Sequence, residues 1–399
     1  MNIVTDIRHK LTLTIMRKFV RCVPATQAMT SGWDSKDAAF TAQGKPSQPG
    51  FPAFRLNGSR LYRFTKFALA AASLVSFTPA IAQSAQRSVV PIREVVIHPI
   101  DTPRYVVTVT INGMPFEVGL DTGSVGLRLL PKAVERAGVI PGSQPARYSY
   151  GSGVQLDGQV ATADIQIGSA KGKVTLQAVE RVSCVAQKKN CPATYVSPAE
   201  YGLMGSGQPG QGFQAIMGTR LNNGDIPNPL TALGIRSWIV HLPQRGGSGG
   251  ELILNPDKSD LAGFVPLRND TGIPGTVVGC AMIDRADALQ LCGSMLLDTG
   301  APGVAIHGAE RPLGWQPSVP ARLVLAGATG IKARSVVFRT GDKLNGGNTD
   351  FEPGRGNGIS MNAGTLPFYA YDVLFNQEHN EISVRPNGSG SDAVHAAPL

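Results

Sequence analysis

Short apolar runs rich in Val, Ile, Leu and Thr, broken by Gly, Pro and Asn, dominate the chain after residue 82. Residues 105–111 alternate in the manner of a half-buried strand, Asn112-Gly113 follows as a tight hairpin turn, and 116–120 return toward Asp121. The same pattern predicts strands at 163–167, 239–242, 252–254, 321–325, 335–339 and 382–385. Only 131–137 and 229–233 read as helices, both opening on Pro and both short. The predicted class is all-β. Glycine-rich loops fall at 202–212, 246–250 and 346–358, and the second of these is the expected boundary between two lobes, 83–248 and 249–399.

The first 82 residues read differently. Arg60, Arg63 and Lys66 precede an apolar stretch at 67–77, then Pro79 and the small-x-small sequence Ala80-Ile81-Ala82. That is the layout of a secretory signal peptide over 60–82, cleaved before Gln83. The stretch is shorter than the ~20 residues a membrane span needs, so no stable membrane anchor is expected after cleavage. Residues 1–59 show no sustained periodicity and are expected to be a disordered or non-native extension, with translation beginning nearer Leu61.

Charge follows the same division. The formal net charge is +9, but residues 1–82 hold eleven Lys and Arg against three Asp and Glu. The remainder is nearly neutral, which removes the electrostatic argument for a nucleic-acid partner. Four cysteines remain after residue 82: Cys184, Cys191, Cys280 and Cys292. Three pairings are possible, and spacing favours the two short loops, Cys184–Cys191 and Cys280–Cys292. No CxxC pair or His cluster supports a metal site, so export to an oxidising compartment, periplasmic or extracellular, is the expectation.

The chemistry sits in a triplet that occurs twice. Asp121-Thr122-Gly123 and Asp298-Thr299-Gly300 each end an apolar run, 177 residues apart. Two carboxylates brought close together cannot both ionise at modest cost, so one holds a proton while the other stays a base. Two glycine patterns carry less: 205–210 contains Pro209 where a dinucleotide-binding helix should start, and 246–250 lacks the strand–turn–helix context of a serine nucleophile.

Around the triplets, five motifs occur in order: Asp121-Thr122-Gly123-Ser124, Tyr150-Gly151-Ser152-Gly153, Phe213-Gln214-Ala215-Ile216-Met217-Gly218, Asp298-Thr299-Gly300, and Ala363-Gly364 with Leu366-Pro367-Phe368. In this set the chain resembles the pepsin-like, two-lobed aspartic peptidases over about 105–386. The resemblance implies an all-β, two-lobed acid-protease fold with its active site in the cleft between lobes. It implies an exported aspartic endopeptidase, monomeric because one chain carries both triplets, acting on a peptide or protein substrate without cofactor or metal.

By the same resemblance Asp121 and Asp298 are the catalytic pair. Thr122 and Thr299 brace the turns, Gly123 and Gly300 let the backbone close in, and Ser124 supports Asp121. Tyr150 and Gly151 belong to a hairpin flap over the substrate, with Tyr148 a substitute for Tyr150. Three positions depart from the family: Ala301 where a hydroxyl is usual, Arg128 where a Trp is usual, and Asn362 at an expected apolar site. Arg128 is left open between flap prop, substrate contact and surface residue. The departures favour an alternative, a non-catalytic peptide-binding protein of the same fold.

Overall fold

The computed structural model describes residues 86–388, apart from 99–100, 223, 286–287 and 355–357. The expected signal peptide, the extension before it and Cys22 lie outside the described residues. The protein is all-β, with one thirteen-stranded and one seven-stranded sheet. Among the described residues helical structure is limited to Pro131–Arg136 and Pro229–Ala232, within the two segments read as helical, and to three short 3₁₀ turns.

The hairpin at Asn112-Gly113 forms because both residues adopt positive φ, 47° and 82°, the combination that matches the twist of the flanking strands. It joins Thr102–Ile111 to Met114–Asp121. The Asn112 side chain fixes the turn by donating to the Ala137 carbonyl and accepting from the Asp164 amide.

One arrangement of strands occurs twice. Met114–Asp121 runs parallel to Ala215–Thr219, which pairs antiparallel with Val125–Leu129, which runs parallel to Ala170–Cys184. In the second half, Leu291–Leu296 runs parallel to Ser360–Asn362. That strand pairs antiparallel with Val304–His307, which runs parallel to Thr349–Glu352. Asp121 is in register with Gly218, and the Asp298 amide donates to the Gly364 carbonyl, so the two copies superpose Asp121 on Asp298 and Gly218 on Gly364. Each copy is preceded by a hairpin, and in the second that hairpin carries the Cys280–Cys292 disulfide across directly paired residues.

Strands Ser237–His241, Gly250–Leu254, Tyr371–Asn376 and Glu381–Pro386 also belong to the thirteen-stranded sheet. The loop at 246–250, the expected lobe boundary, therefore lies between two strands that pair with each other. Trp238 stacks on Phe375 there, both fully buried. Several strands escaped the sequence reading, among them Ser88–Ile97 and Pro141–Ser149. Both contain Pro, which lacks a ladder donor; the second tolerates it as the edge strand of its sheet.

Candidate active site

Asp121 ends its strand and Asp298 lies just past its own, both nearly buried at 4 % and 8 % exposure. The turns that follow are locked to each other. Thr122 Oγ1 donates to the Leu297 carbonyl at 2.8 Å and accepts from the Thr299 amide at 3.0 Å. Reciprocally, Thr299 Oγ1 donates to the Leu120 carbonyl at 2.7 Å and accepts from the Thr122 amide at 3.1 Å. Both threonines are fully buried, so these four bonds form away from competing water.

The glycines are required by proximity. A Cβ on Gly123 would lie 2.2 Å from Asp298 Cγ, and one on Gly300 would lie 2.7 Å from Asp121 Oδ1. Each glycine thus makes room for the carboxylate of the other half.

The donors around the two carboxylates differ. Asp121 accepts from the Gly123 and Ser124 amides on Oδ1 and from Ser124 Oγ, at 2.6 Å, on Oδ2. Asp298 accepts from the Gly300 amide on Oδ1 at 2.7 Å. Its Oδ2 accepts from Asn362 Nδ2 at 2.6 Å, and Asn362 Oδ1 in turn accepts from the Gly364 amide at 2.9 Å. Ala301 has no hydroxyl to offer, and Asn362 supplies the missing donor. Its counterpart in the first half is Ile216, two residues before Gly218, and that side chain packs in an apolar cluster.

Burial raises the pKa of the Asp298 carboxyl well above the usual carboxylate range. The neighbouring Asp121 charge and a hydrogen bond with Asp121 add to the rise, and the donors Asn362 and Gly300 oppose it. Beneath the pair, Arg104 is buried with its Nε donating to the Met204 carbonyl and its Nη1 without a partner. Desolvation lowers the Arg104 pKa to about 10, and the two aspartates are among the charges that oppose this.

A cavity of about 310 Å³ opens onto the pair, lined by both aspartates, Tyr148, Tyr150, Gly151, Arg220 and His307 among others. A larger cavity of about 550 Å³ lies elsewhere, walled by Phe338, Phe368 and Tyr369, and contains neither aspartate.

The hairpin with its turn at Tyr150–Gly153 overhangs the smaller cavity. Tyr150 stands at that turn, but its hydroxyl is buried without a partner and its ring packs edge-on against Tyr148 at 4.9 Å. Tyr148 is the tyrosine that interacts with Ser124, the residue bonded to Asp121. Arg128 is not a surface residue. It is 2 % exposed and lays its guanidinium on the Tyr148 ring, 3.5 Å from the centroid. A cation held over an aromatic face at that distance props the ring from behind.

The hairpin tip is also tied across the cavity. Lys188, inside the loop closed by Cys184–Cys191, donates to the Gly151 carbonyl at 2.9 Å and pairs with Glu352 at 2.8 Å. Glu352 in turn contacts His307 Nδ1 at 3.1 Å on the opposite wall. The remaining histidines show no clustering, and among the described residues no group of three His, Cys, Asp or Glu side chains could hold a metal.

Sequence reasoning named the aspartates, threonines, glycines and Ser124. It passed over Asn362 as a donor, Arg220, His307 and the Lys188 tie. Comparison with protein families gave nothing further. No family model matches the chain, and no curated protein matches it.

Proposed function

We propose that this chain is an exported aspartic endopeptidase of pepsin-like, two-lobed architecture that hydrolyses peptide bonds with a water activated by Asp121 and Asp298. One observation carries the reading: two buried aspartates, presented by equivalent turns of a repeated strand arrangement, line the same open cavity side by side.

In this reading Asp298, whose pKa burial raises, holds the shared proton. Asp121, with its three donors, takes a proton from the water as the oxygen attacks the scissile carbonyl carbon. The Asp298 proton passes to the carbonyl oxygen, giving a neutral gem-diol. Asp121 then passes its proton to the amide nitrogen while Asp298 recovers a proton from one diol hydroxyl, so the C–N bond breaks to an acid and an amine and the pair is restored. Tyr148, propped by Arg128, and the hairpin close over the substrate and exclude bulk water. An extended peptide would lie along the cavity beneath the hairpin.

Export to the periplasm or the cell exterior is part of this reading, and the disulfides, which persist in oxidising compartments, support it. Among the described residues no helix is long and apolar enough to cross a membrane.

The test is digestion of a proteome-derived peptide library from pH 3 to 8, beside Asp121→Asn. Cleavage by the natural chain and not by the variant is the expected result. Silence from both, with the protein folded, would replace the reading with a peptide-binding protein that does not cleave.

A further inference from the structure

Arg220 stands in the wall of the cavity that holds the aspartates. Its backbone is fixed beside the first triplet, since its amide donates to the Ser124 carbonyl at 2.9 Å. Its side chain crosses to the other half. Nε and Nη2 donate to the Pro274 carbonyl at 3.1 and 2.7 Å. Gly275 admits this crossing, because a Cβ there would lie 2.8 Å from Arg220 Cγ.

That anchoring uses one edge of the guanidinium on a neutral acceptor. Among the described residues the end of the fork, Nη1 and the second hydrogen of Nη2, makes no hydrogen bond, and no carboxylate lies within ion-pairing distance of Arg220. Apart from the two aspartates, the cavity is lined by no acidic side chain. Around Arg220 lie Ile273, Thr276 and Tyr148. An arginine oriented in advance, half-desolvated and without a direct ion-pair partner among the described residues, meets a planar carboxylate with two parallel hydrogen bonds.

We propose that Arg220 selects a carboxylate-bearing side chain, Asp or Glu, at one fixed position close to the scissile bond, so that the enzyme prefers acidic peptides. The inference rests on the endopeptidase reading for its substrate, but its geometry stands on the cavity alone. Arg220 also lies near enough to the pair to feel both charges, and burial lowers its own pKa. A bound substrate carboxylate offsets that desolvation.

The experiment compares matched peptides that differ only by Glu against Gln at each position, with the natural chain, Arg220→Gln and Arg220→Lys. Glutamine keeps a donor for the Pro274 carbonyl, and thermal unfolding checks that both variants fold. A charge-assisted hydrogen bond contributes about 1.5–3 kcal/mol, so the kcat/KM ratio of Glu to Gln peptide should be roughly ten- to a hundredfold at one position. It should fall toward one in Arg220→Gln and be intermediate in Arg220→Lys.

The same pairs built as uncleavable statine-type pseudopeptides are titrated by calorimetry. Cleavage without an acidic preference, or a preference that survives in Arg220→Gln, overturns the role of Arg220 and leaves the peptidase reading standing. No cleavage, but tighter binding of the acidic pseudopeptide that is lost in Arg220→Gln, overturns the peptidase reading and leaves Arg220 standing. Equal affinity for both pseudopeptides, or none for either, overturns the inference.

Discussion

Asn362 donates to Asp298 Oδ2 at the same 2.6 Å that separates Ser124 Oγ from Asp121 Oδ2. The two halves thus give each carboxylate one short side-chain donor from different places. In the first half the donor sits on the turn and the matching strand residue, Ile216, is apolar; in the second the turn residue is Ala301 and the strand supplies the amide.

Replacing Asn362 by Leu should lower kcat roughly tenfold, the scale of one lost hydrogen bond to a charged group. Because the amide opposes the upward shift of Asp298, its removal should move the alkaline limb of the pH–rate profile to higher pH. Adding Ala301→Ser should restore part of both losses. A profile that keeps its shape in Asn362→Leu would show that the amide does not tune the pair.

The raised Asp298 pKa also bears on stability. A buried carboxyl that holds its proton more tightly when folded binds more protons in the native state, so stability falls as pH rises above the ordinary carboxylate range. Asp298→Asn, neutral throughout, should gain stability relative to the natural chain as pH is raised from 4 toward neutrality, by roughly 1 kcal/mol or more. Urea unfolding at a series of pH values measures this, and parallel curves for the two proteins would refute it.

Gly123→Ala places a methyl group 2.2 Å from Asp298 Cγ, and Gly300→Ala one at 2.7 Å from Asp121 Oδ1. Neither carboxylate can retreat without giving up its amide donors. Both variants should lose activity and lose about 1–3 kcal/mol of stability, the usual cost of overpacking. Denaturant midpoints and peptide turnover report the two effects separately.

Lys188, Glu352 and the Gly151 carbonyl form a tie that is partly exposed, and such pairs add little to global stability. Its effect should be local. Glu352→Gln should speed amide hydrogen exchange at the hairpin tip while leaving the unfolding midpoint nearly unchanged. The Lys188 contact holds the Glu352 carboxylate below its ordinary pKa. The tie is therefore complete above that ordinary value and is lost as pH falls through the lowered one, so exchange at the tip of the natural chain should rise in acid. Exchange that is insensitive to both the substitution and pH would remove the tie from consideration.

Much of this was legible from particular residues. The period-two runs and Asn112-Gly113 located the strands that carry Asp121, and the repeated triplet located its partner. Short spacing identified both disulfides. What stayed hidden depends on three-dimensional register. Asn362 reads as a polar residue in an apolar segment until its strand is aligned with Leu291–Leu296, which aims its amide at Asp298. Arg128 stays open between prop, substrate contact and surface charge in the sequence, because its partner, the Tyr148 ring, lies on another strand. Tyr148 and Tyr150 share a face in sequence, and only the turn geometry decides which hydroxyl nears Ser124. Ser88–Ile97 and Pro141–Ser149 were masked by proline, whose missing donor matters little in the second, an edge strand.

The exchanged hydroxyls of Thr122 and Thr299 have a mechanical meaning. Since each turn is pinned by a side chain of the other, the spacing of the two aspartates is set at the floor of the site and not by its walls. Any rocking of one half against the other would pivot about this point as about an axle: the rim would travel and the carboxylates would not. A change that loosened the axle would scatter the pair before it changed what the cavity admits.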